Sequence, residues 1–133
     1  MANRSDPASL SAFLQKPPNL SHLRGLTTPL GIVQHAQGSE PDLSHGYSID
    51  DSARALIVAV WFAKLYDPGQ IRHLAEIYLD HILEAQLPDG RFHNFKDREG
   101  RFLDRVGSQD SLGRTVWALG ITLKEKFPDP KLS

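Results

Sequence analysis

Apolar residues recur at helical spacing from Asp50 to Tyr66. Ala53, Leu56, Ile57, Val60, Trp61 and Ala63 leave few polar gaps, the pattern of a helix buried on most faces. Asp67-Pro68-Gly69 ends it. The next run, about Gln70 to Ala85, is amphipathic: Ile71, Leu74, Ala75, Tyr78, Leu79, Ile82 and Leu83 alternate with Arg72, His73, Glu76, Asp80 and Glu84, so its polar face meets water. A third helical run covers about Asp110 to Lys126 and stops before Pro128 and Pro130. Two short turns come earlier. Asp6-Pro7 suits a helix start, with Leu10, Phe13 and Leu14 following and Pro17-Pro18 closing it, and Leu20, Leu23 and Leu26 share one face of the second. From Gly31 to Tyr47 no period is sustained, and Gly38, Ser39, Pro41 and Gly46 punctuate an ordered loop whose Ile32, Val33, His35 and Tyr47 are worth burying. Pro88-Asp89-Gly90 turns the chain into an alternating, extended stretch, Arg91–Phe95. These runs predict one all-α domain over 1–133: short helices 7–26, loop 27–49, inner helix 50–66, outer helix 70–85, loop 86–109 and inner helix 110–126.

Self-comparison adds a repeat. Ser48-Ile49-Asp50-Asp51-Ser52-Ala53-Arg54 matches Ser108-Gln109-Asp110-Ser111-Leu112-Gly113-Arg114 at an offset of 60, and each copy opens an apolar helix. A repeat of helical hairpins predicts stacking, with buried inner and half-wet outer helices closing into an α/α toroid. At this period 133 residues hold only two inner helices, so the expected object is the opening arc of a ring.

Composition narrows the class. The chain is 40% hydrophobic and 23% charged, periodic enough to fold. The absence of cysteine excludes a disulfide scaffold, a zinc finger and a thiol nucleophile. Fifteen basic against sixteen acidic side chains argue against nucleic acid as the main partner. No run approaches the ~18 apolar residues of a membrane span, and Met1–Phe13 lacks a signal-like apolar region, so a cytoplasmic location is expected. Histidine spacing offers no metal site, and no phosphate loop or dinucleotide fingerprint implies a cofactor.

Asp50, Asp51 and Asp110 are the candidate acid and base groups. The repeat places them at the same end of two inner helices, and neighbouring carboxylates suit general acid–base work such as glycosidic bond chemistry. The same residues also explain themselves structurally: Ser48 and Ser108 as caps, the aspartates as first-turn charges, and Asp50–Arg54 and Asp110–Arg114 as i,i+4 pairs. Trp61 and Trp117, inside apolar helices, are expected in the core, whereas Tyr47 and Phe92, beside Gly46 and Gly90, are expected to meet a ligand.

Several blocks carry a resemblance. Leu26-Thr27, Gly31–Ala36, Pro41-Asp42 and His45–Leu56, then Pro88–Phe95 and Gly107–Gly120, resemble in order a bacterial family of six-hairpin glycosidase-like proteins, often encoded with or described as glycosyltransferases and mannoside-processing enzymes. The likeness covers about residues 20 to 122 and departs at Thr28-Pro29-Leu30. It implies an incomplete (α/α)6 toroid and a carbohydrate-active role, with an oligosaccharide or sugar as ligand and no turnover by this chain alone. Under it, Arg54 and Arg114 orient the carboxylates, and His45, Tyr47, His93 and Asn94 contact sugar. Two rival readings stand beside it. A non-catalytic helical module would self-associate or complete a split toroid, since short chains with apolar inner helices expose interfaces. An isoprenoid-handling toroid is the weaker rival, suggested by Gln86-Leu87-Pro88-Asp89-Gly90-Arg91-Phe92, a turn pattern shared with terpene cyclases.

Overall fold

In the computed structural model residues 15–127 are described, so the helical turn expected after Asp6 and the stop at Pro128 lie outside the described residues. The fold is mixed α/β, about 49% helix and 20% strand, and this overturns the all-α expectation. The elements are α1 (Ser21–Gly25), β1 (Thr27–Thr28), β2 (Gly31–Gln37), β3 (Glu40–Ser48), α2 (Ile49–Leu65), a 3-10 turn (Pro68–Gln70), α3 (Arg72–Glu84), β4 (Phe95–Lys96) and α4 (Gln109–Lys124). Four strands form one antiparallel sheet in sequence order.

The predicted loop 27–49 is where the correction falls. Gly38-Ser39 is a two-residue hairpin turn, with Gly38 at φ 62° and Gln37 paired to Glu40 across it. Only the near end of the hairpin is buried, through Gly31, Val33, Gly46, Tyr47 and Ser48, while most of 34–45 is exposed or half-exposed. That split conceals the period of a strand. A bulge between Val33 and His35 shifts the register again, and there the Gln34 side-chain amide donates to the His45 carbonyl at 2.7 Å. Gly46 also has a positive φ, and a Cβ there would collide with the Lys96 carbonyl oxygen.

α2 is the central element, packed against α3 on one flank and α4 on the other. Its Ile49, Ala53, Leu56 and Val60 join Tyr78, Leu79 and Ile82 of α3 and Ala118 of α4 in the core. Ion pairs close the α2–α4 seam at both ends, Asp50–Arg114 at 2.8 Å and Lys64–Glu125 at 2.9 Å. Each joins equivalent ends of the helices, so α2 and α4 run parallel. The toroid and helical-repeat expectations fail with the sheet in place: the first copy of the 60-residue motif follows a β-hairpin, the second an irregular segment. What the offset marks is two helix starts capped alike. Ser48 Oγ accepts from Asp51 N and Ser108 Oγ from Ser111 N, both at 3.1 Å.

The tryptophans also depart from expectation. Trp61 is 41% exposed, with the Lys64 ammonium 5.0 Å from its ring centre, and Trp117 is 60% exposed, because both lie on the outward faces of their helices. Among the described residues no helix is long and apolar enough to cross a membrane.

Candidate functional site

α2 and α4 begin side by side, and their first turns border an open cleft of about 400 Å³ with the β2 edge and the segment before β4. Asp50, Asp51, Asn94, Asp110 and Arg114 all line it, joined by Gln34, His35, Ser48, Phe95, Ser108 and Ser111. The parallel course of α2 and α4 explains the convergence. Two N-terminal ends and their dipoles point the same way, which favours negative charge at this end.

The three carboxylates differ in what already holds them. Asp50 is clamped: Arg114 Nη1 donates to its Oδ1 at 2.8 Å, and Arg54 Nη2 lies 3.1 Å from its Oδ2. Asp51 accepts from Ser48 Oγ at 2.8 Å while its own amide donates back to that oxygen, a reciprocal cap. Asp110 is exposed and, among the described residues, its carboxylate has no hydrogen bond or ion pair. The expected Asp110–Arg114 pair does not form, because Arg114 reaches across the seam to Asp50 instead.

Asn94 is positioned by a residue that sequence reasoning passed over. The Asp104 carboxylate accepts from the amides of Asn94 at 2.7 Å and Phe95 at 2.8 Å, and the Asn94 carbonyl accepts from Ile49 N at 2.7 Å. This ties the segment to the start of α2. The Asn94 side-chain oxygen is buried with no partner, a polar group left over at the cleft wall. Phe95, partly exposed, brings an aromatic surface.

The remaining predicted residues lie elsewhere. Arg54 is not part of the cleft lining and touches it only through Asp50. His45 is exposed on β3, edge-on to His35 with ring centres 4.4 Å apart. Tyr47 is 2% exposed, its hydroxyl 2.7 Å from Thr28 Oγ1, and Phe92 packs in the core; neither is open to a ligand, because each strand or bridge residue turns inward there. His93 stacks on Phe102, and its Nδ1 lies 2.6 Å from the Asp104 carbonyl.

A buried polar cluster behind the sheet was not foreseen either. Ser52 Oγ lies 2.7 Å from His81 Nδ1, with both residues sealed and His81 Nε2 unpartnered. Burial, reinforced by the Lys96 charge, lowers the His81 pKa to about 3. Lys96 is buried too, donating to the Leu30 carbonyl at 2.6 Å beside the Tyr47 and Phe102 rings, and burial lowers its pKa. These groups are sealed from solvent, and their bonds tie the hairpin to the helices. A broader depression of about 620 Å³ near Leu87, Pro88, Arg105 and Val106 holds Asp89 and Arg91, which neutralise each other at 2.7 Å. Among the described residues no three His, Cys, Asp or Glu side chains gather as a metal site.

No protein-family model, no curated protein and no solved structure matches the chain.

Proposed function

We propose that the chain binds a carbohydrate in the cleft between the starts of α2 and α4. The observation that carries this reading is the convergence of an unpaired carboxylate, Asp110, with the arginine-held Asp50, the Asn94 amide and the Phe95 ring on one open cleft. Carboxylate oxygens accept from sugar hydroxyls, the side-chain NH2 of an asparagine donates to them, and an exposed ring covers the apolar face of a pyranose. The block resemblance to carbohydrate-processing proteins supports the same ligand class. Recognition is favoured over turnover by this chain. Glycosidic acid–base chemistry needs two available carboxyl groups, and here Asp50 is committed to two arginines and Asp51 to Ser48.

The test is calorimetric titration with a series of manno- and gluco-oligosaccharides. Saturable binding is expected that Asp110→Asn weakens roughly tenfold or more, as for loss of a hydrogen bond to a charged group, and that Asn94→Ala weakens roughly two- to tenfold, as for loss of a neutral one. Absence of binding across the series, or binding indifferent to both changes, overturns the proposal.

A further inference from the structure

The solvent-facing sides of α2 and α4 do not look like ordinary surface. On α4 the positions Asp110, Gly113, Trp117, Gly120 and Lys124 recur at alternating spacings of three and four, one face of the helix, and all are exposed. A Cβ at Gly113 or Gly120 would meet nothing within 4 Å, so neither glycine is needed for packing inside the chain. On α2 Arg54, Val58, Trp61 and Leu65 form a second exposed stripe, with Val58 at 54% and Leu65 at 62%. Arg54 shares Asp50 with Arg114, so the two stripes border the same seam. A surface that holds two tryptophans, a valine and a leucine is one that water disfavours.

We infer that a second copy of this chain covers the face, the two α4 helices packing antiparallel about a two-fold axis at Trp117. The charges select this occupant. Asp110 and Lys124 stand seven residues to either side of Trp117, about 10 Å each way along the helix. An antiparallel two-fold therefore sets each Asp110 opposite Lys124 of the partner subunit, and both groups lack an ion pair among the described residues. An isologous interface requires this self-complementarity. Gly113 and Gly120 lie one turn before and after the axis, leaving room for the partner's indole. The area suffices as well. Two helices about 24 Å long, set ~8–10 Å apart, offer a face on the order of 500 Å² per partner before side-chain relief is counted, which reaches the ~1,000 Å² total that a specific interface needs while staying below the ~800 Å² per partner of a standard one. The carboxylate of Asp110 has acceptor capacity for both a lysine and a sugar hydroxyl.

Sedimentation equilibrium of the full chain, without ligand, tests the inference independently of any sugar. The expected mass is twice that of the chain, with Trp117→Asp shifting it to the monomer while the circular dichroism spectrum is retained. Asp110→Lys alone should weaken the dimer roughly ten- to hundredfold, and Asp110→Lys combined with Lys124→Asp should restore it, as expected for close charge pairs at an interface. If Trp117→Asp does not fold, the charge swap carries the decision. A monomer at every concentration, a dimer indifferent to Trp117→Asp, or a double swap weaker than the single one each overturns it. So does a monomer that captures only a different protein.

Discussion

Arg114 crosses from α4 to donate to the Asp50 carboxylate of α2 at 2.8 Å, although Asp110 is one turn away on its own helix. The longer-range pair forms because Asp50 is the more sheltered acid, its side chain only 19% exposed, where a charge-assisted bond is less screened. Arg54, on the other oxygen, is well exposed.

The two arginines should therefore separate in double-mutant cycles with Asp50→Asn. Arg114→Ala is expected to show a coupling of about 1 kcal/mol, and Arg54→Ala about 0.3–0.5 kcal/mol, the range of exposed i,i+4 pairs. Urea unfolding of the four variants in each cycle measures both. Equal couplings would mean that Arg114 is merely a second surface contact.

Two glycines of the hairpin share a φ of 62° but not their surroundings. Gly38→Ala should cost about 1 kcal/mol, the penalty for a Cβ in left-handed backbone, since nothing lies within 4 Å of it. Gly46→Ala adds a collision with the backbone between β3 and β4, and should cost roughly 3–4 kcal/mol. Thermal or urea midpoints would show the gap, and similar losses at both sites would contradict the close approach of β3 to Lys96.

How far the chain could be read in advance follows from these neighbourhoods. The three long helices were legible because Leu56, Val60, Leu79 and Ile82 recur at a helical period and proline or glycine stops follow. The sheet was not. Burial at one end of the hairpin and exposure at the other erase the alternation, and the Gly38-Ser39 turn was the available signal. Asp50, Asp51 and Asp110 stand out in the sequence because a repeat marks them, and all three line the cleft. Asp104 was missed because a carboxylate that accepts two loop amides nine and ten residues away has no local pattern. Trp61 and Trp117 were misplaced because hydrophobicity reports what prefers burial, not which neighbours are there to bury it.

Both helix starts that border the cleft depend on a serine, but not equally. Ser108 is exposed, and its hydroxyl oxygen accepts one bond from the Ser111 amide. Ser48 is buried, accepts from the Asp51 amide and donates to the Asp51 carboxylate. Ser108→Ala should cost about 1 kcal/mol, in the ordinary range for a lost cap, and Ser48→Ala about 2 kcal/mol, because a carboxylate loses its donor as well. Chemical denaturation decides, and a larger loss at Ser108 would count against the reciprocal cap.

The buried His81 makes stability depend on acidity in a window of its own. Burial against Ser52 and near Lys96 lowers its pKa from 6.5 to about 3 in the fold. Well above pH 6.5 the imidazole is neutral in both folded and unfolded chains, and its contribution is complete. Below that the unfolded chain takes up a proton that the folded chain refuses, so stability falls as the pH drops toward the folded value. The slope approaches about 1.4 kcal/mol per pH unit. Between pH 6.5 and about pH 5, still above the carboxylate range, the wild type should lose roughly 1–2 kcal/mol on this account. His81→Asn removes the titrating group while keeping a polar partner for Ser52. Its stability is lower at neutral pH, but it should lose roughly 1–2 kcal/mol less across the same interval. Urea titrations of both proteins at each pH measure the difference. Parallel curves would show that the imidazole takes up its proton without unfolding, and that the pocket behind the sheet is open to water.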